Sequence, residues 1–330
     1  MSITLRQLEI FIAVAETAQV TKASKKLFVT QSAVSMALAE LENQLAGPLF
    51  DRHGRSLLLN ERGRYLLPLA KEIVCQVSNV ESIMSEKNDE LSGHINIVAS
   101  TTIGDYLLPY LIGAFKRMHA HVGINMLVHH TRYAETLIRE GKADVAFVEG
   151  PVKHPDTIIR PWFKDELVIL VGPNDALAGN EIFNVKTDFK NTRWNMREEG
   201  SGTVAIFREK MKAYLDQIHV IMEMGHPEAI KRAVESGAGI ACLSSLTVCR
   251  EVEHGWLKSL KVEGLDMHRQ LQIISRKGHV MSDALAEFLA FCDVMSTCSA
   301  SRACLSSPWK LQSLLAKQSL LTKQGLILKK

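Results

Sequence analysis

The stretch TKASKKLFVTQSAVSMALAELENQL, residues 21–45, is followed after Gly47 and Pro48 by LFDRHGRSLLLN, residues 49–60. The first run offers two helix starts: Thr21 can cap one helix, and the Thr30 hydroxyl can cap the next. In the second helix Val34, Leu38, Leu41 and Leu45 follow at steps of four, three and four, which makes one buried stripe. The opposite face carries Gln31, Ser32, Ser35 and Met36, which have no reason to be inside. Such a face can reach base edges when its helix lies in the major groove of DNA. The second run reads as an apolar hairpin with Gly54 in its turn. Arg52, His53 and Arg55 stand at its tip, placed for phosphate or minor-groove contact.

Upstream, Thr4 and Gln7 form a capping box, and Leu5, Leu8, Phe11, Ile12 and Ala15 make a helical stripe that can pack on the pair. Residues 1–60 are therefore expected to form a mainly α winged helix-turn-helix domain. A generic small helical bundle is the plainer alternative.

From Asn60, a helix cap, one long helix is expected to about Asn88. Its Leu66, Ala70, Ile73, Val77, Val80 and Met84 alternate steps of four and three, as in a heptad seam. Pro68 removes a backbone donor inside it and predicts a bend near Arg64. A helix lying on its own domain would show the same pattern.

Beyond a hinge at Leu91-Ser92-Gly93 short strands and helices alternate. HINIVAS, GINMLVHH and DVAFVEG read as strands of βαβ units on a parallel sheet, and ELVILVG, TRWNMR, HVIMEM and GIACLSS as a second set. Two α/β lobes enclose a cleft, and ligands in open α/β sheets bind at the C-terminal ends of strands. STTIGD (100–105) and EEGSGT (198–203) each end a strand and begin a helix, so amides, hydroxyls and the positive helix end can meet an anion. Ser100, Thr101, Thr102, Ser201, Gly202 and Thr203 are the candidate ligand residues, with ordinary helix capping as their plain alternative. His130, Thr131, Glu149 and His226 end strands or precede helices and could line the same cleft. Glu149 opposes a purely anionic ligand unless it is protonated or a cation intervenes.

The motif order TQSAVS, LE, LFDR, GR and LN within residues 30–60 resembles the LysR-type transcriptional regulators, and the likeness runs on through the α/β region to about residue 296. Within that family the chain most resembles the YeiE-like branch. The resemblance implies three parts: a DNA-binding domain (1–60), a dimerising linker helix (61–91) and a periplasmic-binding-protein-like effector domain (92–296). Lobe I of the last would take residues 92–163 and 266–296, and lobe II residues 164–265. It further implies a homodimer or tetramer that places two recognition helices on a pseudo-palindromic double-stranded operator, with RNA polymerase as a further partner. The branch points to a sulfur oxyanion such as sulfite or sulfate as effector. Many relatives carry arginine where this chain has Met36, so base readout would rest on Gln31, Ser32 and Ser35. Many also carry arginine after GSGT, where this chain has Val204, and its absence removes positive charge from an anion pocket.

The bounds agree with that reading but add little to it. Net charge is +3, yet Arg302, Lys310, Lys317, Lys323, Lys329 and Lys330 stand in an acid-free C-terminal stretch. Removing those six charges from +3 leaves −3 for residues 1–293, so global charge is no argument for DNA. The argument is local, with Lys22, Lys25, Lys26, Arg52 and Arg55 around the motif. Six cysteines lack zinc-ligand spacing and read as incidental thiols of a reducing compartment, with a redox sensor as the alternative. No signal peptide or membrane-length apolar run is seen, which predicts a cytoplasmic protein without membrane contact. No nucleophile elbow, phosphate loop or metal cluster appears, so no catalytic residue, metal or cofactor is expected. A transport-type solute-binding module and an enzyme remain the other classes. Residues 297–330 form a tail whose QSLLAK, QSLLTK and QGLILK hexads keep no helical face.

Overall fold

The structure, a computed structural model, describes residues 3–53, 56–84, 91–152, 154–278 and 280–297. Gly54, Arg55 and the tail hexads lie outside the described residues, as do the side chains of Arg52 and His53. The chain opens with α1 (Leu5–Thr17), α2 (Val20–Lys26), α3 (Gln31–Gln44), β1 (Phe50–His53), β2 (Ser56–Leu59) and the long α4 (Glu61–Met84).

The capping box at the start of α1 is complete: Gln7 N–H donates to Thr4 Oγ1 at 3.2 Å and Thr4 N–H to Gln7 Oε1 at 2.8 Å. α2 corrects the sequence reading. Ala18 turns the chain out of α1 in the left-handed region, Gln19 is the extended N-cap, and Thr21 already lies inside the helix rather than capping it. Thr30 does cap α3, accepting from Ala33 N–H at 3.2 Å. Val34, Leu38 and Leu41 are buried with Phe11, Val14, Leu49 and Phe50 in one core, and Leu45 packs half-buried at its edge. β1 and β2 pair antiparallel, with Phe50 opposite Leu59. Leu57 N–H donates to the Ala18 carbonyl at 2.9 Å, which docks the hairpin on the end of α1.

Asn60 Oδ1 accepts from Gly63 N–H at 2.9 Å and so starts α4, which carries Pro68 within it. The apolar seam of α4 divides. Leu67 and Ala70 enter the N-terminal core with Leu66 against it, whereas Tyr65, Leu69, Ile73 and Val80 are exposed.

Next come β3 (Gly93–Ala99), α5 (Thr101–Tyr106), α6 (Leu108–Met118), β4 (Val122–Val128), α7 (Thr131–Arg139) and β5 (Val145–Glu149). They are followed by β6 (Thr157–Val171), β7 (Ile182–Phe183), α8 (Val185–Asp188), β8 (Arg193–Arg197), α9 (Gly202–Lys210), β9 (His219–Met224) and α10 (Pro227–Glu235). The described fold closes with β10 (Ile240–Ser244), α11 (Ser245–Glu253), β11 (Lys258–Val262), β12 (His268–Arg276) and α12 (Asp283–Thr297).

The sheet runs β4-β3-β5-β12-β6-β10-β8-β9. The βαβ pairs are parallel as the alternation predicts, but β12 runs antiparallel to β5 and β6, and β10 antiparallel to β6. β6 is the reason. Its Trp162 and Phe163 belong to one apolar core while Leu167, Ile169 and Val171 belong to another, so a single strand crosses between two lobes and β12 returns beside it. Among the described residues no helix is long and apolar enough to cross a membrane.

Candidate DNA interface and effector cleft

The buried stripe of α3 turns Gln31, Ser32, Ser35 and Met36 outward, and all four are exposed, Met36 to 73%. Lys22 and Lys25 are exposed on α2. Lys26 is held by Glu16 at 2.7 Å, where burial works against the Glu16 carboxylate but Lys26 and Lys71 together keep its pKa low. The Thr30 hydroxyl lies 3.0 Å from that of Ser32, so the start of α3 is a polar, uncharged surface next to two lysines.

The second site lies where the lobes meet. Ser100 and Ser201 occupy the N-cap positions of α5 and α9, yet neither makes a side-chain capping bond. Ser100 Oγ donates instead to the Glu149 carboxylate, and Thr102 Oγ1 donates to Glu149 Oε1 at 3.0 Å. Thr131 Oγ1 donates to the Glu149 carbonyl at 2.6 Å. Ser201 Oγ is buried and has no hydrogen-bond partner. Gly202 is required by space, because a Cβ there would stand 1.8 Å from the Glu149 carbonyl oxygen of the opposite lobe.

Two buried arginines, which the sequence reading missed, supply the charge. Arg269 on β12 donates through Nε to Asp165 Oδ2 at 2.7 Å, through Nη1 to Thr203 Oγ1 at 3.0 Å and through Nη2 to Thr102 Oγ1 at 3.4 Å. Arg197, the last residue of β8, pairs with Glu198 through two bonds of 2.8 Å and reaches Thr101 Oγ1 at 3.4 Å. Ser244 Oγ holds the other Asp165 oxygen at 2.8 Å. Val204 packs in the lobe II core, so positive charge enters the cleft from different elements than the sequence led us to look for. The available signal was an arginine ending a buried strand just before EEGSGT; Arg269 had no local signal.

Burial raises the Glu149 pKa above the usual carboxylate range, against the pull of Arg269 and Arg197. The cleft thus joins Ser100, Thr101, Thr102, Thr131, Glu149, Ser201, Gly202 and Thr203. His130 caps α7, accepting from Tyr133 N–H at 3.2 Å, and lies against Gly200 at the cleft edge; burial, then His129, lowers its pKa. His226 also stands where the lobes meet: it is about half exposed, caps α10, and its Nε2 lies 2.9 Å from Asp105 Oδ2. Burial pushes the Cys242 thiol up to about 12 and Cys249 to about 11, and Cys292 well above its ordinary value. Thiols so raised are poor redox sensors.

A helix-turn-helix with an outward polar helix, followed by two lobes that close on a hydroxyl- and arginine-lined cleft, defines a ligand-responsive transcriptional regulator. Residues 5–64 match the bacterial regulatory helix-turn-helix protein family of the lysR type, and residues 88–296 match the LysR substrate binding domain. The chain belongs to the LysR family of transcriptional regulators. It is similar to the HTH-type transcriptional regulator YeiE of Escherichia coli (strain K12), 37% identical over 293 residues, which is 89% of this chain and 98% of that one. Full-length OxyR from Pseudomonas aeruginosa shares the fold with a TM-score of 0.73 at 20% identity, over 92% of this chain and 97% of that one. The regulatory domain of Synechocystis PCC6803 CcmR, solved in complex with 2-PG, matches with a TM-score of 0.58 at 25% identity, over 63% of this chain and 99% of that one.

Proposed function

We propose that the interlobe cleft binds a small oxyanion or carboxylate, and that its occupancy changes how a dimer or tetramer holds and bends a pseudo-palindromic operator. The buried Ser201 hydroxyl without a partner carries this reading: an unpaired donor at the N-terminus of α9, two residues from the Thr203 that Arg269 holds, calls for an acceptor. Glu149 is compatible with an anion because its raised pKa favours the protonated acid, which can donate to an effector oxygen. The likeness to CcmR bound to 2-PG supports a small effector of this kind; sulfite or sulfate is the first one to try, on the resemblance to the YeiE-like branch alone.

On the DNA side Gln31, Ser32, Ser35 and Met36 read bases, while Lys22, Lys25, Arg52 and Arg55 supply phosphate contacts. The exposed Tyr65, Leu69, Ile73 and Val80 of α4 give a second copy an apolar stripe to pack on. The protein acts in the cytoplasm, with RNA polymerase as the partner that reads the altered promoter complex. The effector shifts the DNA-bound arrangement only by its difference in affinity for the two lobe geometries.

A thermal-shift titration of the full-length protein with sulfite, sulfate, phosphate, small carboxylates and amino acids tests this. A rise in Tm with an oxyanion or carboxylate that is lost in Ser201→Ala is expected. Stabilisation by none of them removes the anion reading.

A further inference from the structure

A second groove of about 580 Å³ lies on the other side of the lobe junction, where Asp105, Tyr106 and Tyr110 of α5 and α6 face Lys231, Glu251 and Trp256 from lobe II. Its size is within the range of small-molecule sites. Side-chain bonds cross it from lobe to lobe: Tyr106 OH donates to Glu228 Oε1 at 2.5 Å, and Arg250 Nη2 to Tyr110 OH at 2.9 Å. At its floor Lys231, 3% exposed, donates to Glu251 Oε1 at 2.7 Å and the Thr247 carbonyl at 2.9 Å, and lies 2.6 Å from Glu228 Oε1. Its ammonium also stands 5.1 Å from the centre of the Tyr106 ring.

One group is left over. The Glu251 side chain is only 10% exposed, and its second oxygen, Oε2, is buried without a hydrogen-bond partner. A buried carboxylate oxygen lacking a donor is costly, and neither DNA binding nor the effector cleft uses this one. Lys231 cannot serve it, since its three N–H groups are committed to Thr247, Glu251 Oε1 and Glu228.

We propose that this groove is a second ligand site for a small molecule bearing a primary ammonium group, which donates to Glu251 Oε2 and lays its carbon chain between Tyr110 and Trp256. The missing element is a donor, and the aromatic walls favour both cation and chain; Lys231, Arg232 and Arg250 line the groove beside Asp105, Glu228 and Glu251 and balance their charge, so the preference for a cation rests on the unpaired Glu251 Oε2 and the aromatic walls. The buried Lys231 is already saturated by Thr247, Glu251 and Glu228. Because the walls belong to different lobes, a bound amine ties them together. Its affinity and that of the effector then depend on one another reciprocally.

Isothermal titration of the full-length protein with n-butylamine and putrescine, with n-butanol as the uncharged control, tests the site. Expected is binding of the amines and not of butanol, weakened about tenfold or more by Glu251→Gln and also by Tyr110→Ala on the other lobe, but unchanged by Ser201→Ala in the effector cleft. Tyr110→Ala keeps the test decisive should Glu251→Gln fail to fold. The proposal is overturned if neither amine binds, if butanol binds equally, or if binding survives the groove variants or is lost in Ser201→Ala.

Discussion

Arg269 and Asp165 form an ion pair of 2.7 Å in which neither side chain is more than 1% exposed, and the same guanidinium holds Thr203 and Thr102. The pair sits on the crossover strands β12 and β6, so one buried charge pair organises both the hinge and the effector cleft. Removing one partner of such a pair leaves an uncompensated buried charge, at a cost of about 3–5 kcal/mol. Arg269→Met should lose that much in urea denaturation. A loss below about 1 kcal/mol would mean that Asp165 is already satisfied by Ser244.

Glu149 gives a pH signature. Its folded pKa is raised, so the native state binds more protons than the unfolded one, and its contribution to stability falls as pH rises from the ordinary carboxylate range through the raised value. Glu149→Gln should therefore have a higher Tm than the parent at neutral pH, with the difference vanishing near the ordinary carboxylate pKa. The same variant should flatten the loss of anion affinity with rising pH; parallel pH profiles for parent and variant would refute the protonated-acid role.

Gly202 fixes how closely the lobes approach. A methyl group there would meet the Glu149 carbonyl at 1.8 Å, which backbone atoms cannot absorb without opening the cleft. Gly202→Ala should weaken effector binding by about tenfold or more, while operator binding in the absence of effector persists. Unchanged effector affinity in calorimetry would show that the lobes close elsewhere.

Phe28, in the turn between α2 and α3, has φ 55° and is 95% exposed. Its ring contributes no burial, and a non-glycine residue in the left-handed region costs about 1–2 kcal/mol. Asparagine tolerates that region better, so Phe28→Asn should raise stability by about 0.5–1 kcal/mol. A fall in chemical-denaturation midpoint would contradict this.

Ser35 is exposed on the outward face of α3. Ser35→Asp places a carboxylate against bases and phosphates and should cost specific operator binding about 1–3 kcal/mol or more, leaving the fold intact because no core contact is touched. A gel shift with unchanged operator affinity would remove Ser35 from the interface.

Much of the molecule is written in local sequence. The spacing of Val34, Leu38 and Leu41, the Thr4 and Thr30 caps, the wing and the alternating strands of the effector domain depend on residues within a turn or a strand of one another, so periodicity and capping chemistry reveal them. The family motifs, read in order, add the function. Local pattern failed where long-range geometry intervened. Thr21 was displaced as a cap by the left-handed Ala18, and the N-terminal core takes up Ala70 of the α4 seam with Leu66 packed against it.

Only the tertiary structure brought the cleft's charges together. Arg269 and Asp165 are far apart along the chain and meet because β12 pairs with β6, while Arg197 reaches Thr101 of the other lobe from the end of β8. Likewise the unpaired oxygens of Ser201 and Glu251 become meaningful only once burial has removed water as their partner. The sequence by itself determined most of the elements, the outward polar face of α3 and the family, since these rest on short-range pattern. Which polar groups are left without a partner, and so call for a ligand, was decided by packing between segments that share no local signal.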